Sequence, residues 1–172
     1  LMQGLAEGYF ILPYTIGDYL SHKFAEPKTD TKAPEFDEAE KAVKEKIAKL
    51  FAIKGKESVD SMHKRLGHLM WEYVGMARSA EGLQKGIEEI KKLREEFWSN
   101  VCVPDTNEEF NQELEKALRL ADFLEIGELM AKDALNRNES CGGHFRVEYQ
   151  TPDGETKRDD ENYMYVAAWE YK

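Results

Sequence analysis

The chain has 172 residues, 41% of them hydrophobic and 34% charged, with a formal net charge of −10. That length suits one domain with a real core, or a compact domain with an arm. The acidic balance argues against a nucleic-acid partner, whose affinity rests on neutralising phosphates, and against docking on an anionic membrane.

The first stretch, residues 1–21, is apolar and aromatic: Leu1, Leu5, Tyr9, Phe10, Leu12, Ile16, Tyr19 and Leu20. Gly4 and Gly8 share one helical face and permit close approach of another backbone. Pro13 is expected to end or kink the first helix, since it removes a donor and clashes with the preceding turn. The longest uncharged run, Gly8 to Gly17, is far shorter than the roughly 20 residues a membrane span needs, so no insertion is expected. Two readings of this segment stand: a helix buried in this domain, or one taken from a neighbouring domain. The chain begins at Leu1 inside an apolar helical pattern, so a fragment of a longer protein is expected.

Residues 27–34 are rich in Lys, Thr, Asp and Pro without periodicity, and read as a linker. From Asp37 the pattern turns helical, with Asp37 and Glu40 resembling a capping pair and Ala39, Val43, Ile47, Leu50 and Phe51 forming a stripe that Gly55 stops. Ser58 opens a second helix with Met62, Leu66, Leu69, Met70, Tyr73 and Ala77 on one face. Ser79 opens a third with Leu83, Ile87, Ile90, Leu93 and Phe97, its opposite face charged. Thr106 with Glu109 in capping-box position starts the longest helix, about Asn107 to Asn136, which is apolar on more than one face from Leu120 onward. Such a helix is expected to be buried. Short loops predict antiparallel neighbours.

Phe145, Val147 and Tyr149 alternate with polar residues as in a strand, and Pro152-Asp153-Gly154 signals a turn, so a small hairpin through Thr156–Arg158 is expected. Tyr163, Tyr165, Val166, Ala168, Trp169 and Tyr171 make an aromatic end that should be tied down. The expected fold is therefore mainly α: an antiparallel bundle of three to four helices with a small C-terminal β-hairpin and extended tail. Its expected division is 1–35 helix and linker, 36–140 bundle, and 141–172 hairpin and tail packed on the bundle.

Two clusters stand apart from this patterning: residues 138–146, with Glu139, Ser140, Cys141, Gly142, Gly143, His144 and Arg146, and residues 158–162, with Arg158, Asp159, Asp160 and Glu161. A core cannot hold such groups unpaired. One reading is an active-site loop using His144 and Arg146. The other is a hydrogen-bonded lock, in which the glycines let the backbone turn after the long helix and Arg146 and Arg158 pair with Glu139, Asp159 or Asp160. Cys141 and His144 offer two metal ligands, but no second pair follows at zinc spacing, and no metal site is expected. The only cysteines, Cys102 and Cys141, form no disulfide framework and fit a reducing, cytoplasmic setting. No phosphate loop or nucleophile elbow occurs, and no catalytic residue is assigned.

The order of motifs resembles the C-terminal part of the flavoprotein subunit of succinate dehydrogenase and fumarate reductase, over nearly the whole chain. The resemblance rests on Met62-His63-Lys64 through Met70-Trp71-Glu72-Tyr73-Val74-Gly75-Met76-Ala77-Arg78, on Phe110-Asn111 with the Leu-rich run after it, and on Asn136-Arg137-Asn138-Glu139-Ser140, Gly142, His144, Arg146 and Arg158-Asp159-Asp160-Glu161-Asn162. The sequence departs from the family pattern at Cys141, where Arg usually follows Glu-Ser, and at Gly143, usually Ala. The resemblance implies a parent subunit that holds FAD and passes a hydride between flavin and the C2–C3 bond of succinate or fumarate. It implies FAD-binding and capping domains in the same subunit, an iron–sulfur subunit receiving electrons, and a membrane anchor holding the complex at the cytoplasmic face of the inner membrane. By the same resemblance residues 1–35 are a remnant of the FAD-binding domain. An Asn-Arg-Leu-Gly segment is expected just before Leu1, and Leu1 is the last flavin-contacting position, through its backbone amide. The fragment itself is expected to be structural, without cofactor or activity. Two other assignments stand beside it: the C-terminal domain of an L-aspartate oxidase, and a freestanding helical interaction module.

Overall fold

The helices begin where the sequence supplies an oxygen for the free amides of a first turn. In the computed structural model, which describes residues 2–104 and 110–170, Ser58 Oγ accepts from the Ser61 amide at 3.1 Å and opens α4 (Val59–Val74). Ser79 Oγ accepts from the Gly82 amide at 3.0 Å and opens α5 (Ala80–Asn100). Asn111 Oδ1 accepts from the Leu114 amide at 3.0 Å and opens α6 (Gln112–Asn136). Both serine starts are as expected. The long helix starts later than its pattern suggests, because Asn111 is the residue that turns its side chain back onto the helix. Phe110, inside the helix as expected from about Asn107, therefore precedes it and is exposed, while Thr106 and Glu109 lie outside the described residues.

Two units divide the chain at Val43 and Lys44. In the first, α1 (Met2–Ala6) runs through a π-helical turn (Glu7–Ile11) into α2 (Leu12–Leu20). Pro13 does not end the helix: the widened turn precedes it, and Pro13 sits in the first turn of α2, where no amide donor is required. None of these helices has a buried residue; Tyr9, Phe10, Tyr14 and Tyr19 are all exposed. Residues 27–33 carry no helix or strand. Helix α3 (Pro34–Ile53) then begins at its proline, so Asp37 and Glu40 fall inside the helix instead of capping it.

In the second unit, ion pairs reveal the helix directions. Arg65 meets Glu96 at 2.6 Å and Arg94 meets Glu125 at 3.0 Å, so α5 runs antiparallel to both neighbours. Asp60 meets Lys116 at 3.2 Å, which makes α4 and α6 parallel. Leu66, Ile90, Leu93, Phe97, Leu120 and Leu124 fill the space between the three, and Leu50 at the end of α3 joins them. A second, smaller apolar cluster of Val74, Leu83, Ile87, Ala131 and Ala134 lies at the other end of the bundle. The mainly helical expectation holds.

Helix α6 is not buried all round. Leu120, Leu124, Ala131 and Ala134 face the core, but Phe123, Ile126, Leu129 and Met130 are 41%, 52%, 39% and 47% exposed, because α4 and α5 cover the opposite side of this helix. Ala77, placed on the α4 face by its spacing, lies past the end of that helix and is exposed.

The far end of the bundle is closed by two short parallel strands, β1 (Glu57–Ser58) and β2 (Val101–Cys102), which periodicity does not foretell at two residues each. Gly55 belongs to this junction. Its amide donates to the Val101 carbonyl at 3.1 Å, and a Cβ there would lie 1.8 Å from the Asn100 carbonyl oxygen. The residue that takes the left-handed conformation after α3 is Lys54 (φ 48°), so Gly55 is required for close approach instead.

Beyond α6 the chain turns back as expected at Pro152-Asp153-Gly154, with Gly154 at φ +83°. The return is held by one antiparallel bridge, Gln150 to Thr156, without a longer ladder. A four-residue helix, α7 (Asp160–Tyr163), precedes the tail.

Candidate functional site

The two polar clusters meet at the end of α6, and most of their polar groups are spent on helix ends. Arg146 is 2% exposed. Its Nη1 donates to the carbonyls of Ala134 at 3.0 Å and Leu135 at 3.3 Å, the free acceptors of the last turn of α6, where a cation is favoured. Its Nε donates to Glu148 Oε2 at 3.2 Å, and its guanidinium lies 5.4 Å from the Tyr149 ring centre. Glu148 Oε1 in turn accepts from the Ala80 amide at 2.6 Å, the first residue of α5. Arg78 does for α4 what Arg146 does for α6: its Nε donates to the carbonyls of Val74 at 3.0 Å and Gly75 at 3.1 Å. Side chains of the returning loop and of the α4–α5 connection thus hold the end of α4, the start of α5 and the end of α6.

Backbone pairing adds to it. The Arg78 amide donates to the Phe145 carbonyl at 3.0 Å, and the Val147 amide to the Arg78 carbonyl at 2.8 Å. Phe145 and Val147 therefore use their strand-like spacing on the α4–α5 connection, not on the 155–158 return. Ser140, fully buried, accepts from the Arg146 amide at 2.9 Å and donates to the Arg146 carbonyl at 3.1 Å. Cys141 and His144 exchange backbone hydrogen bonds of 2.8 and 3.0 Å across a tight turn in which Gly142 takes φ +57°.

His144 stands at the middle. Its Nδ1 faces Arg78 Nη1 at 2.9 Å and its Nε2 faces the Arg137 carbonyl at 3.0 Å. A guanidinium only donates and a carbonyl only accepts, so the ring is the neutral tautomer with its proton on Nε2. Burial, the largest influence, holds its titration below the ordinary histidine value, and the charges of Arg78, Arg146 and Arg137 add to this against the opposing pull of the Arg137 carbonyl.

Glu139, 2% exposed, accepts from Arg137 Nε at 2.8 Å and from the Asp159 amide at 2.8 Å, which ties the two clusters together. Arg137 Nη2 also donates to the Tyr163 carbonyl at 2.6 Å. Burial raises the Glu139 carboxyl, but the Asp159 amide and Arg137 outweigh it and hold the group below the usual carboxylate range. Its contribution is therefore present above the unfolded carboxyl value and is lost as pH falls through the folded one. We expect Glu139→Gln to lower stability by about 2 kcal/mol near neutrality. The gap to the parent chain should narrow below about pH 4. Guanidinium titrations at the two pH values check this, and a gap independent of pH rules it out.

The expected pairings are thus corrected. Arg146 pairs with Glu148, and Glu139 with Arg137, because the loop after α6 folds back and brings near sequence neighbours together. Arg158 pairs with Asp160 at 2.7 Å, one of the partners expected, but both are more than half exposed, so this contact is no buried lock. Asp159 accepts from the Asn162 amide at 3.2 Å and caps α7. The aromatic end is anchored by Trp169 Nε1, which donates to Asp133 Oδ1 at 2.8 Å, while Met164 and Val166 remain exposed. Tyr171 and Leu1 lie outside the described residues. Arg78, Arg137 and Glu148 carry the network without having been singled out individually. Arg78 and Arg137 stand inside the quoted motif runs; Glu148 has no signal beyond being the polar position of an alternating stretch.

Among the described residues no group of three or more His, Cys, Asp or Glu side chains is placed to hold a metal ion, and no helix is long and apolar enough to cross a membrane. Both ring nitrogens of His144 are engaged. What the geometry defines is a helical bundle with one end sealed by a returning loop.

The comparisons place that domain in a family. The profile described as "Fumarate reductase flavoprotein C-term" matches residues 63–172, and the chain belongs to this family, that of the C-terminal domain of succinate dehydrogenase and fumarate reductase flavoproteins. The chain is 33% identical over 140 residues to the fumarate reductase flavoprotein subunit of Proteus vulgaris, covering 81% of itself and 23% of that protein. Among solved structures it resembles a quinol-fumarate reductase with menaquinol molecules (31% identity, TM-score 0.66, 80% of this chain and 23% of that one). It also resembles the Mycobacterium smegmatis Sdh1 complex in the apo form (26% identity, TM-score 0.67, 84% and 23%). The chain spans about a quarter of the length of these relatives.

Proposed function

We propose that the chain is the C-terminal helical domain of an FAD-dependent flavoprotein subunit that interconverts succinate and fumarate and passes electrons to an iron–sulfur subunit, and that its own part in that enzyme is structural. The observation that carries this is the employment of the polar clusters: Arg78, Arg146, Glu148, His144 and Glu139 bind helix ends, loop backbone and one another. An acid or base in catalysis needs a free position toward a reacting atom.

The described residues do not fit FAD. In the cavity of about 570 Å³ between Arg94, Ile126, Leu129 and Trp169, the cations Arg94 and Lys132 are already paired with Glu125 and Glu128, so they are not set out for a pyrophosphate. No glycine-rich turn leads into a helix there, as such a group prefers. The flavin is assigned to residues outside this chain, with the Leu1 amide as the one contact from within it. In this reading residues 1–35 go with the FAD-binding domain, where the apolar side chains of α1 and α2 find cover. Residues 36–140 form the bundle, and 141–172 form the return and tail that seal it.

The purified chain is expected to show no flavin absorbance and no succinate-dependent dye reduction. Turnover by the chain alone overturns the structural role. An Asn-Arg-Leu-Gly segment encoded before Leu1 supports the parent assignment, and a start codon there sinks it.

A further inference from the structure

His144 occupies a position that admits one ring proton and not two. Arg78 points an N–H at Nδ1 from 2.9 Å, and the Nε2 proton is already committed to the Arg137 carbonyl at 3.0 Å. A second proton would set an N–H at Nδ1 against the N–H of Arg78, two donors and two positive charges at hydrogen-bond distance. We propose that His144 is a pH-sensitive latch: its protonation expels the Arg78 guanidinium and breaks the side-chain tie between the 140–144 turn and the end of α4.

The surroundings favour expulsion over accommodation. From the α4–α5 connection the ring meets Arg78; from the end of α6, Asp133 and Arg137; from its own loop, Cys141 and Arg146. Three of these five are guanidiniums. Asp133, the carboxylate of the set, is held by the Trp169 indole at 2.8 Å. A cavity of about 320 Å³ bordered by Arg78, Met130, Asp133, Arg137 and Cys141 lies beside the ring and gives a displaced side chain somewhere to go.

The same Arg78 side chain caps α4 through Val74 and Gly75, and His144 itself sits on the last carbonyl of the α6 end. Losing their mutual contact uncouples the two caps. The turn then keeps the Cys141–His144 backbone pair, the Ser140 contacts to Lys157 and Arg146 and the His144 Nε2 bond to the Arg137 carbonyl, and it stays joined to the α4–α5 connection through the Arg78 backbone alone.

The direction with pH follows from the ring's burial. The closed joint disfavours the proton relative to an open one, so closure is complete above the ordinary histidine value of 6.5 and is lost as pH falls from there toward the folded value. Opening should rise roughly tenfold per pH unit in that window.

The test is amide hydrogen exchange on the whole chain at about pH 7.5 and about pH 5.5, with rates corrected for intrinsic pH dependence. The amides of Ser140, Cys141 and His144 should lose protection at the lower pH, while those of Leu93 and Leu124 in the core keep theirs. In His144→Asn, whose amide oxygen offers Arg78 an acceptor without titrating, the same three amides should respond little to pH. Unchanged protection in the parent chain, or an equal loss in a folded variant, overturns the latch. Should the variant fail to fold, the ring of His144 in the parent chain is titrated by NMR. A midpoint well below 6.5 that coincides with the loss of protection supports the proposal, and a midpoint at or above it overturns the proposal.

Discussion

Arg146→Met is expected to destabilise the bundle by about 2–3 kcal/mol, the cost of taking a charged donor from buried helix-end carbonyls. Methionine keeps much of the stem volume of Arg146, so the loss isolates the guanidinium. Without it the Ala134 and Leu135 carbonyls at the end of α6 lose their donor, and Glu148 is left with the Ala80 amide alone. Because Glu148 also holds the start of α5, the damage should spread to two helices. Chemical denaturation followed by helical circular dichroism measures it. Arg158→Ala is the control: Arg158 and Asp160 are 58% and 57% exposed, and exposed pairs contribute about 0–1 kcal/mol. Equal effects from the two substitutions would show that the buried cap is not what secures this end of the bundle.

The second large effect is expected at the opposite end. Gly55→Ala would place a Cβ 1.8 Å from the Asn100 carbonyl oxygen and 2.5 Å from its Cα, all backbone atoms that no side-chain rotation can move. The strand pair has to part, and with it the Gly55–Val101 and Lys56–Asn100 hydrogen bonds, 3.1 and 3.0 Å long. A loss of about 3 kcal/mol is expected, the upper end of ordinary overpacking costs. Gly143→Ala is the matched comparison, since a Cβ there meets nothing within 4 Å and its φ is not in the left-handed region. It should leave the denaturation midpoint nearly unchanged. A tolerated Gly55→Ala would mean that the β1–β2 junction is not tightly set.

The two ends of the bundle were unequally visible in the sequence. Helices α4 and α5 were legible almost to the residue, because Ser58 and Ser79 precede apolar residues at helical spacing and both serines do cap. Helix α6 starts at Gln112, later than its spacing suggests, because Asn111 caps it, and an Asn ahead of an apolar run is a signal the pattern shares with other polar residues there. Gly55 was noticed as a helix stop, but its function depends on the end of α5, 45 residues later in the chain, and nothing local encodes that approach. In the polar clusters the residue types were legible and the partners were not. Arg146, Glu139 and His144 were identified as groups needing company. Their company is Glu148, Arg137, Arg78 and the carbonyls of α6, brought near by a loop that reverses after the helix.

By itself the sequence determined the helical class, the core faces of α4 and α5 and the family to which the chain belongs, for these rest on periodicity, capping residues and an ordered motif. These are properties of neighbours along the chain. Tertiary structure decided that the motif is a seal on helix ends, that Phe123, Ile126 and Met130 of α6 stay uncovered, and that a half-buried histidine ended up against an arginine. Those outcomes depend on which unsatisfied carbonyl or amide lies within about 3 Å of which side chain once the helices have packed, a distance that spacing along the chain does not contain.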